Sequence, residues 1–594
     1  MRNRLLAVAL LALAVDGACA FDQVGGDIDG ESQGAWAGGF EYRHGTCIST
    51  LGSRVAVGFM GGSGYRGFVR VYERDETNSA IEPVGWTKIG NDIMGESSGD
   101  EFGSYISCSD DLSRLAVAGP YNDEQFSNGG HVRVFELQSG EWVQLGGDID
   151  GITDHGQLWV TISADGNCVA VRTWTNSNGL NKAGFVRVLR RDTSNTPLGW
   201  TQMGDTIYGD NDNDSFGFSV SLSGDCASLR MAIGSTGSDA SGTDYTGLVR
   251  VFDFDEVNGW TRVGMDIWGD GPQDTSGHAV SISADGSRVA IGSPYNDDGG
   301  YNSGQVRIFA RDTSVPAGWS QLGSAIVGES ENDQFGYSLS LSAAGTRLAV
   351  GAPSHDGAAG VGTDVGHVRI FDYENGAWTQ VGDEIEGEFG ADPNDFDAQM
   401  GIDEGGDMSG TTVRISPDGT HVAITAALND GPGSRSFGTM GGSHGHVRVF
   451  ALGSPAGGVA VTCDASTAPA NAKSGAEGLG DCSASLAAGA SCTPVCQDGY
   501  TAVAAECSMT GDLTAAECAP PSAPPTADPA NATQGEPRNE TSPPSASPPP
   551  SALPPPFAPP SPPRVLVADE ESSATRLAVR VAGVVVAAAA AVAL

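Results

Sequence analysis

A unit of about sixty residues recurs seven times along this chain and constrains its fold more than any other feature. Each copy closes with a segment of the pattern Gly-x-Val-Arg-Val or Gly-x-Val-Arg-Ile. The tryptophans that open the later copies lie 56, 58, 60, 59 and 59 residues apart: Trp86, Trp142, Trp200, Trp260, Trp319 and Trp378. A fixed period of this size is typical of repeat architectures, in which each copy forms one supersecondary unit.

Each copy divides into four apolar segments of strand length, and helical periodicity is nearly absent. Turns such as Asp165-Gly166 and Asp285-Gly286 have hairpin chemistry. Apolar side chains alternate to both faces of these sheets, so neither face is stable in water. Packing sheet against sheet in a closed ring covers every face and removes the exposed ends. The sequence therefore predicts an all-β, seven-bladed β-propeller of four-stranded antiparallel blades.

One alanine recurs in every copy, and we expect it where neighbouring sheets approach most closely, because a larger side chain there would overpack the interface. These alanines are Ala56, Ala116, Ala170, Ala232, Ala290, Ala349 and Ala423.

Three motifs carry a resemblance to a known family. Phe335-Gly336, Gly351-Ala352-Pro353 and Gly366–Phe371 resemble the FG-GAP repeat of integrin α-subunit propellers. The resemblance covers all seven copies and implies adhesion or ligand binding by loops on one rim. Many family members carry a DxDxDG calcium loop between the FG and GAP strands, but here that loop is short, as at Ser342–Gly345.

In that family the tryptophan-type strand lies outermost in its blade. The segment Phe21–Gly30 aligns without a gap with the later tryptophan segments, and Phe21 stands at the tryptophan position. By that phasing, Phe21–Gly30 is the outer strand of the last blade, whose other strands come from Gly410–Phe450. The N-terminal strand is thus predicted to close the ring.

The segments outside the propeller predict a secreted, surface-attached chain. Residues 1–20 have the basic start, apolar run and Ala18-Cys19-Ala20 site of a signal peptide, and the propeller is expected over 21–455. A disulfide-rich module is expected over 460–518, with its connectivity open. Its six cysteines are Cys463, Cys482, Cys492, Cys496, Cys507 and Cys518.

Residues 519–565 are rich in proline, which predicts a disordered, extended stalk. Asn531 and Asn539 in this stalk are expected glycosylation sites. Residues 566–594 resemble a GPI-attachment signal, with Ser572 and Ser573 at the lipid-anchor position. The alternative is a transmembrane tail, but the final apolar run of fourteen residues from Val581 to Leu594 is short for a bilayer.

The best candidate for metal binding is Asp210, Asp212 and Asp214, whose alternating spacing is that of the start of a Ca²⁺ loop. An ordinary acidic loop between blades is the competing interpretation, since the glycine and the distal glutamate of such loops are missing. Ca²⁺ is the only cofactor indicated. Asn213 in the same loop also begins a glycosylation sequon.

Three histidines, His131, His367 and His446, occupy one position of the repeat and are interpreted as architectural, and no His/Cys spacing is typical of zinc. The arginine of the closing strand is expected to pair with an acid of the tryptophan strand, for example Arg307 with Glu329. This pair recurs, so it serves the blade rather than a unique site.

The propeller also contains cysteines whose state the sequence leaves open. Cys47 with Cys108, and Cys168 with Cys226, are spaced to bridge adjacent blades, and buried free thiols are the alternative.

A net charge of −43 argues against nucleic-acid binding, because an acidic surface repels phosphates. The prediction is a cell-surface or extracellular recognition or adhesion protein that binds a protein or glycan ligand through propeller loops and contacts the membrane through its C-terminal anchor. No pair of acids breaks the repeat, so an enzyme is not expected. The alternatives are a secreted propeller enzyme acting on polysaccharide or phospholipid, and a structural coat protein.

Overall fold

In a computed structural model, the propeller region is described with a few gaps, and the C-terminal region only in short strands. The described ranges are 21–30, 36–39, 44–61, 64–173, 180–194, 199–239, 245–357, 364–388, 406–429 and 444–453, with six strands between 462 and 519.

The prediction of a seven-bladed propeller is confirmed, since seven antiparallel sheets follow one another along the chain. Within blades 1 to 6 the strands run in sequence order from the inner strand to the outer one, whereas blade 7 takes its outer strand from the N-terminal segment. In every blade the outer strand is broken into two short segments that both pair with the third strand. The only helices among the described residues are two short 3₁₀ turns, Thr50–Gly52 and Cys226–Ser228.

The strand bounds follow the repeat. Blade 1 comprises Thr46–Ile48, Arg54–Phe59, Phe68–Arg74, Trp86–Lys88 and Ile93–Met94. Blade 2 comprises Tyr105–Cys108, Arg114–Gly119, His131–Gln138, Glu141–Gln144 and Ile149–Asp150. Blade 3 comprises Trp159–Ile162, Cys168–Thr173, Phe185–Arg191, Trp200–Gln202 and Ile207–Tyr208. Blade 4 comprises Phe216–Leu222, Arg230–Ser235, Leu248–Asp255, Gly259–Arg262 and Ile267–Trp268.

The remaining blades have the same plan. Blade 5 comprises Ala279–Ile282, Arg288–Ser293, Gln305–Arg311, Trp319–Gln321 and Ile326–Val327. Blade 6 comprises Ser338–Leu341, Arg347–Ala352, His367–Glu374, Ala377–Gln380 and Ile385–Glu386. Blade 7 comprises Ser409–Ile415, His421–Ala426 and His446–Ala451, completed by Asp22–Gln23 and Ile28–Asp29.

The N-terminal segment closes the ring, as predicted. Gln23 pairs with Phe450 and Ile28 with Val447, so both short strands lie antiparallel to the third strand of blade 7. Val24 adds a backbone hydrogen bond of 2.7 Å to the carbonyl of Val449. The inner strands of blades 1 and 7 are also in contact, which completes the circle.

The hydrophobic core lies between the blades. All seven recurring alanines are fully buried. Each belongs to an apolar cluster shared with the following blade, as Ala116 does with Trp159 and Val160 of blade 3. The expected position at the closest approach of the sheets is confirmed in this sense, because a larger side chain would push two blades apart.

A second close contact explains a pair of glycines in several blades. A Cβ atom on Gly292 of blade 5 would lie 2.1 Å from the carbonyl oxygen of Gly336 in blade 6, so both backbones need glycine to meet. Gly336 itself has φ = +91°, a conformation that other residues rarely adopt.

The outer strands are joined by the recurring tryptophans. Each indole Nε1 donates a hydrogen bond of 2.8–3.2 Å to a backbone carbonyl of the preceding outer strand, as Trp319 does to Val263 and Trp86 to Val24. Phe21 occupies this position in blade 7, and its side chain has no N–H group to donate.

Two disulfides connect neighbouring blades, which settles the question that the sequence left open. Cys47 is bonded to Cys108, with 6.2 Å between Cα atoms, and joins blades 1 and 2. Cys168 is bonded to Cys226, with 5.3 Å between Cα atoms, and joins blades 3 and 4.

The C-terminal region contributes three two-stranded antiparallel sheets. Thr462–Cys463 pairs with Leu486–Ala487, Ser491–Cys492 with Ala505–Glu506, and Thr501–Val503 with Glu517–Ala519. Several predicted features lie outside the described residues: residues 1–20, Cys482, Cys496, Cys507, Asn531, Asn539, Ser572 and Ser573. Throughout the described part, no helix has the length and apolar character needed to cross a bilayer.

Candidate functional site

At one level of the axial channel, the inner strands of neighbouring blades bring a series of side-chain rings close together. Six blades contribute an aromatic or imidazole ring from the start of the inner strand, and neighbouring ring centroids lie 4.7–6.3 Å apart. The rings are those of His44, Tyr105, Trp159, Phe218, His278 and Tyr337. Blade 7 completes the circle with Thr412, whose Oγ1 lies 3.3 Å from Nδ1 of His44.

Arg172 lies at this level and breaks the symmetry of the repeat. The register of the second and third strands places it where other blades carry small residues. Those residues are Gly58, Ala118, Gly234, Gly292, Gly351 and Thr425. Its guanidinium carbon lies 4.6 Å from the ring centroid of Trp159, and Nη1 donates hydrogen bonds to the carbonyls of Gly217 and Phe218. These contacts fix a cation against the aromatic ring.

Arg414 is the second exception, on the inner strand of blade 7. It pairs with the recurring alanine Ala423, and every other inner strand has a smaller residue at this register. Those residues are Cys47, Ser107, Thr161, Ser221, Ser281 and Ser340. Arg414 Nη1 donates a hydrogen bond of 3.3 Å to the carbonyl of Val413.

The electrostatics of the channel are unusual for so acidic a protein. Burial lowers the pKa of both Arg172 and Arg414 to about 10, and the two cations also repel each other. Burial and the two arginines hold the pKa of His44 well below its usual range, so its imidazole is neutral at pH 7. Within the described ranges, no carboxylate forms an ion pair with either arginine. Taking a cation out of water without a compensating anion is costly.

A polar cavity of ≈ 180 Å³ lies along the inner strands, and Arg414, Ser107, Ser221 and Ser281 line it. Backbone hydrogen bonds between the hairpin turns of adjacent blades surround it, such as that from Asp110 N to the carbonyl of Ala164 at 2.9 Å. The cavity therefore has a fixed rim formed by loops.

One carboxyl group also lines this cavity. Burial raises the pKa of Asp110 to about 6, and the carboxylates of Asp111, Asp225 and Asp165 add to the effect.

The loop predicted to bind Ca²⁺ directs its carboxylates to different partners. Asp210 Oδ2 lies 2.6 Å from Arg250 Nη2, Asp212 accepts the backbone N–H of Asn181, and buried Asp214 accepts the backbone N–H groups of Asp210 and Asn211. Calcium binding here stays a prediction. Asn213 is exposed on the same turn, and its glycosylation also stays a prediction.

The recurring pair between arginine and acid is present, but the predicted register was wrong. Arg307 contacts Asp270 of the preceding copy at 2.5 Å, whereas Glu329 contacts Arg369 of the following copy at 3.1 Å. The pair therefore connects adjacent blades rather than strands of one blade. Where the acid is missing, Arg187 donates instead to the carbonyl of Asp150.

Sequence reasoning missed the channel ring and its two arginines. Tyr105 and Trp159 share one repeat position, but His278 and Tyr337 come from the position before it, so no single column of the repeat contains the aromatics. A usable signal existed for the arginines, since each is the one large cation in a column of small residues.

Comparison with known proteins adds little beyond the fold. No family model matches the chain, and no curated protein matches it. Among solved structures, the periplasmic gluconolactonase PpgL of Pseudomonas aeruginosa is 16% identical with a TM-score of 0.37, over 69% of this chain and 97% of that one. The WD40 repeats of RRP9 are 11% identical with a TM-score of 0.39, over 73% of this chain and 100% of that one. Similarity at this level says nothing of ligand or activity.

Proposed function

We propose that this chain is a secreted recognition protein of the extracellular face of the plasma membrane, whose propeller binds a ligand by an anionic group. The signal-like N-terminus, the proline-rich stalk and the lipid-anchor pattern support the location. The resemblance to FG-GAP propellers and the propeller fold itself support a binding role.

The observation that carries the proposal is the presence of two arginines in the axial channel without a carboxylate partner in the described residues. Arg172 is 5% exposed, and its Nε has no hydrogen-bond partner among those residues. A buried cation costs several kcal/mol unless an anion compensates it. A carboxylate or sulfate of the ligand would supply that anion.

Size and charge restrict the ligand further. A cavity of ≈ 180 Å³ is smaller than a drug-sized pocket of roughly 300 Å³ or more, so it accepts one terminal group and not a whole chain. The net charge of −43 repels polyanions at long range. Both facts favour a ligand with an isolated acidic group, such as a uronic acid at the end of a glycan or an acidic side chain of a protein.

The test uses the full chain against arrays of neutral glycans, acidic glycans and acidic peptides, with and without Ca²⁺. Arg414→Ser is the informative variant, because serine is the residue of four other blades at this register. Arg262→Ser is the matched control, since it removes the same charge from a side chain that is 47% exposed.

We expect acidic ligands to bind and Arg414→Ser to weaken them at least about 30-fold, because truncating one partner of a buried charge pair costs about 2 kcal/mol or more. Arg262→Ser should bind like the wild type. Equal binding by Arg414→Ser, or a preference for neutral ligands, would contradict the site. Turnover of a bound polysaccharide would favour the enzyme alternative, and ordered surface arrays without any ligand would favour the coat protein.

A further inference from the structure

A second cluster of functional groups lies in blade 6, away from the channel cavity. His367 begins the third strand of this blade, Glu384 comes just before the last segment of its outer strand, and His355 follows its second strand. The register pairs His367 with Ala352 on one side and with Glu386 on the other, which places Glu384 and His355 beside the same imidazole. One ligand-type atom from each of His355, His367 and Glu384 lies within 4.8 Å of the others.

We propose that His355, His367 and Glu384 form a binding site for a divalent transition metal of the zinc type. Two imidazoles and one carboxylate are a donor set that Zn²⁺ accepts, with a fourth position left for water or another ligand. Nδ1 of His367 lies 3.1 Å from Oε2 of Glu384. Two atoms bound at about 2.0–2.1 Å to a tetrahedral ion lie roughly 3.3 Å apart, so this separation needs little change.

The hydrogen bonding of the two imidazoles points to a missing partner. His367 is 1% exposed, yet its Nδ1 has no hydrogen-bond partner among the described residues despite its proximity to Glu384. The two rings are stacked, with centroids 4.1 Å apart and an angle of 26° between their planes. A buried nitrogen without a partner is costly, and a metal ion placed between nitrogen and carboxylate would satisfy both.

The surroundings also suit a cation. Nδ1 of His355 lies 3.3 Å from Oδ2 of Asp333, which places a further carboxylate beside this imidazole without an aligned hydrogen bond. Asp333 is held in turn by the backbone N–H of Ser330 at 3.0 Å. Glu384 and Glu386 add negative charge near His355.

The repeat itself shows that the cluster is an addition to the fold. In blades 2, 5 and 7 an asparagine stands at the position of His355, and its amide donates to the equivalent aspartate at 3.1–3.2 Å, as Asn296 does to Asp274. Blade 5 also has Gln305 in place of His367 and Ala325 in place of Glu384. The fold therefore forms without either imidazole.

Two related clusters occur at the same position between other blades. His131 lies near Glu96, Glu124 and Asp148, and His446 lies near Asp27 and Glu388. Both histidines are buried, and within the described chain neither ring nitrogen of either one is hydrogen-bonded. Each offers a single imidazole, so we expect weaker zinc binding there than in blade 6.

The test compares the full wild-type chain with His355→Asn and His367→Gln, the residues that blade 5 itself uses. Zinc alone is the probe: its uptake is measured by mass spectrometry after equilibration at low micromolar Zn²⁺ and removal of free metal. Co²⁺ replaces Zn²⁺ for absorption spectra, which identify tetrahedral coordination. Circular dichroism and thermal melting verify that both variants are folded.

We expect the wild type to bind one more zinc ion than either variant, and each substitution to weaken that site at least about 100-fold. The tetrahedral Co²⁺ spectrum should be lost with it, and Arg414→Ser should keep both. Equal zinc uptake by wild type and folded variants, or no uptake by any of them, would overturn the proposal. Ca²⁺ or Mg²⁺ binding to this cluster in preference to Zn²⁺ would do so as well.

Discussion

We expect the N-terminal strand that closes the ring to open locally more easily than any other strand of the propeller, and Ile28→Ala tests this. Ile28 is 1% exposed and packs with Val24, Val447 and Val449 between the last blade and the first. Replacing a buried isoleucine with alanine costs about 2–5 kcal/mol. The matched control is Ile93→Ala, because Ile93 has the same repeat position in blade 1 and is 2% exposed.

The segments that contain Ile28 and Ile93 differ in how the chain connects them to the rest of the propeller. Residues 21–30 are joined to the described ring only on their C-terminal side, and releasing them returns about 1–2 kcal/mol of backbone entropy per residue. The segment around Ile93 is joined to blade 1 on one side and to blade 2 on the other, so its release still leaves a closed loop. Residues 21–30 should therefore detach from blade 7 without unfolding of the blades.

Hydrogen exchange followed by mass spectrometry measures this opening in the peptide 21–30. We expect Ile28→Ala to speed exchange there by about 30-fold or more, since about 1.4 kcal/mol corresponds to a factor of ten. The third strand of blade 7, His446–Ala451, should lose protection in parallel. Ile93→Ala should leave the peptide 21–30 unchanged. The reasoning would be refuted if the amides of 21–30 exchanged only when the whole propeller unfolds, and at equal rates in both variants. The N-terminal strand would then be as stable as an internal strand.

Two further predictions concern buried charge. Arg347 and Asp372 form an ion pair at 2.6 Å, and their side chains are 1% and 2% exposed. Arg347→Met should lower the free energy of unfolding, measured by denaturant titration, by about 3–5 kcal/mol, because it leaves the carboxylate of Asp372 buried without a partner. The double variant Arg347→Met with Asp372→Asn should recover part of that loss. If the double variant recovered none of the lost free energy of unfolding, an uncompensated carboxylate would not be the cause of the loss. Because the pKa of Asp110 is raised to about 6, its contribution to stability falls as pH rises from about 4 to about 6. Asp110→Asn should thus raise the melting temperature at pH 7, by the equivalent of at most about 3 kcal/mol, and leave it unchanged near pH 3, where both states bind the proton. An equal effect at both pH values would exclude the carboxyl charge as the cause.

The repeat made the plan of the fold predictable. Each blade is built from strands that follow one another along the chain, so hairpin turns and alternating apolar residues specify it locally. Counting strands placed 21–30 in the last blade once the blade phasing implied by the FG-GAP resemblance was applied, because one tryptophan-type strand was missing there. The alanine column likewise marked the packed interface between blades.

Contacts between blades were harder to predict. The interpretation of Arg307 chose an acid within one copy, whereas the structure uses Asp270 of the copy before it. The sequence leaves open which face of one sheet meets which face of the next, because that depends on how the blades rotate about the common axis. The disulfides between Cys47 and Cys108 and between Cys168 and Cys226 were therefore open choices until the geometry was known.

The sequence by itself determined the number of blades and their strand order, since these depend on local pattern and on counting. With the phasing implied by the FG-GAP resemblance, it also determined the closing strand. Only the tertiary structure decided which side chains lie together in the two proposed sites. It brings Arg172 and Arg414 from blades 3 and 7 to one channel, and gathers His355, His367 and Glu384 from separate strands. The physical reason is that such sites depend on distances across the ring and between paired strands, which a one-dimensional repeat does not contain.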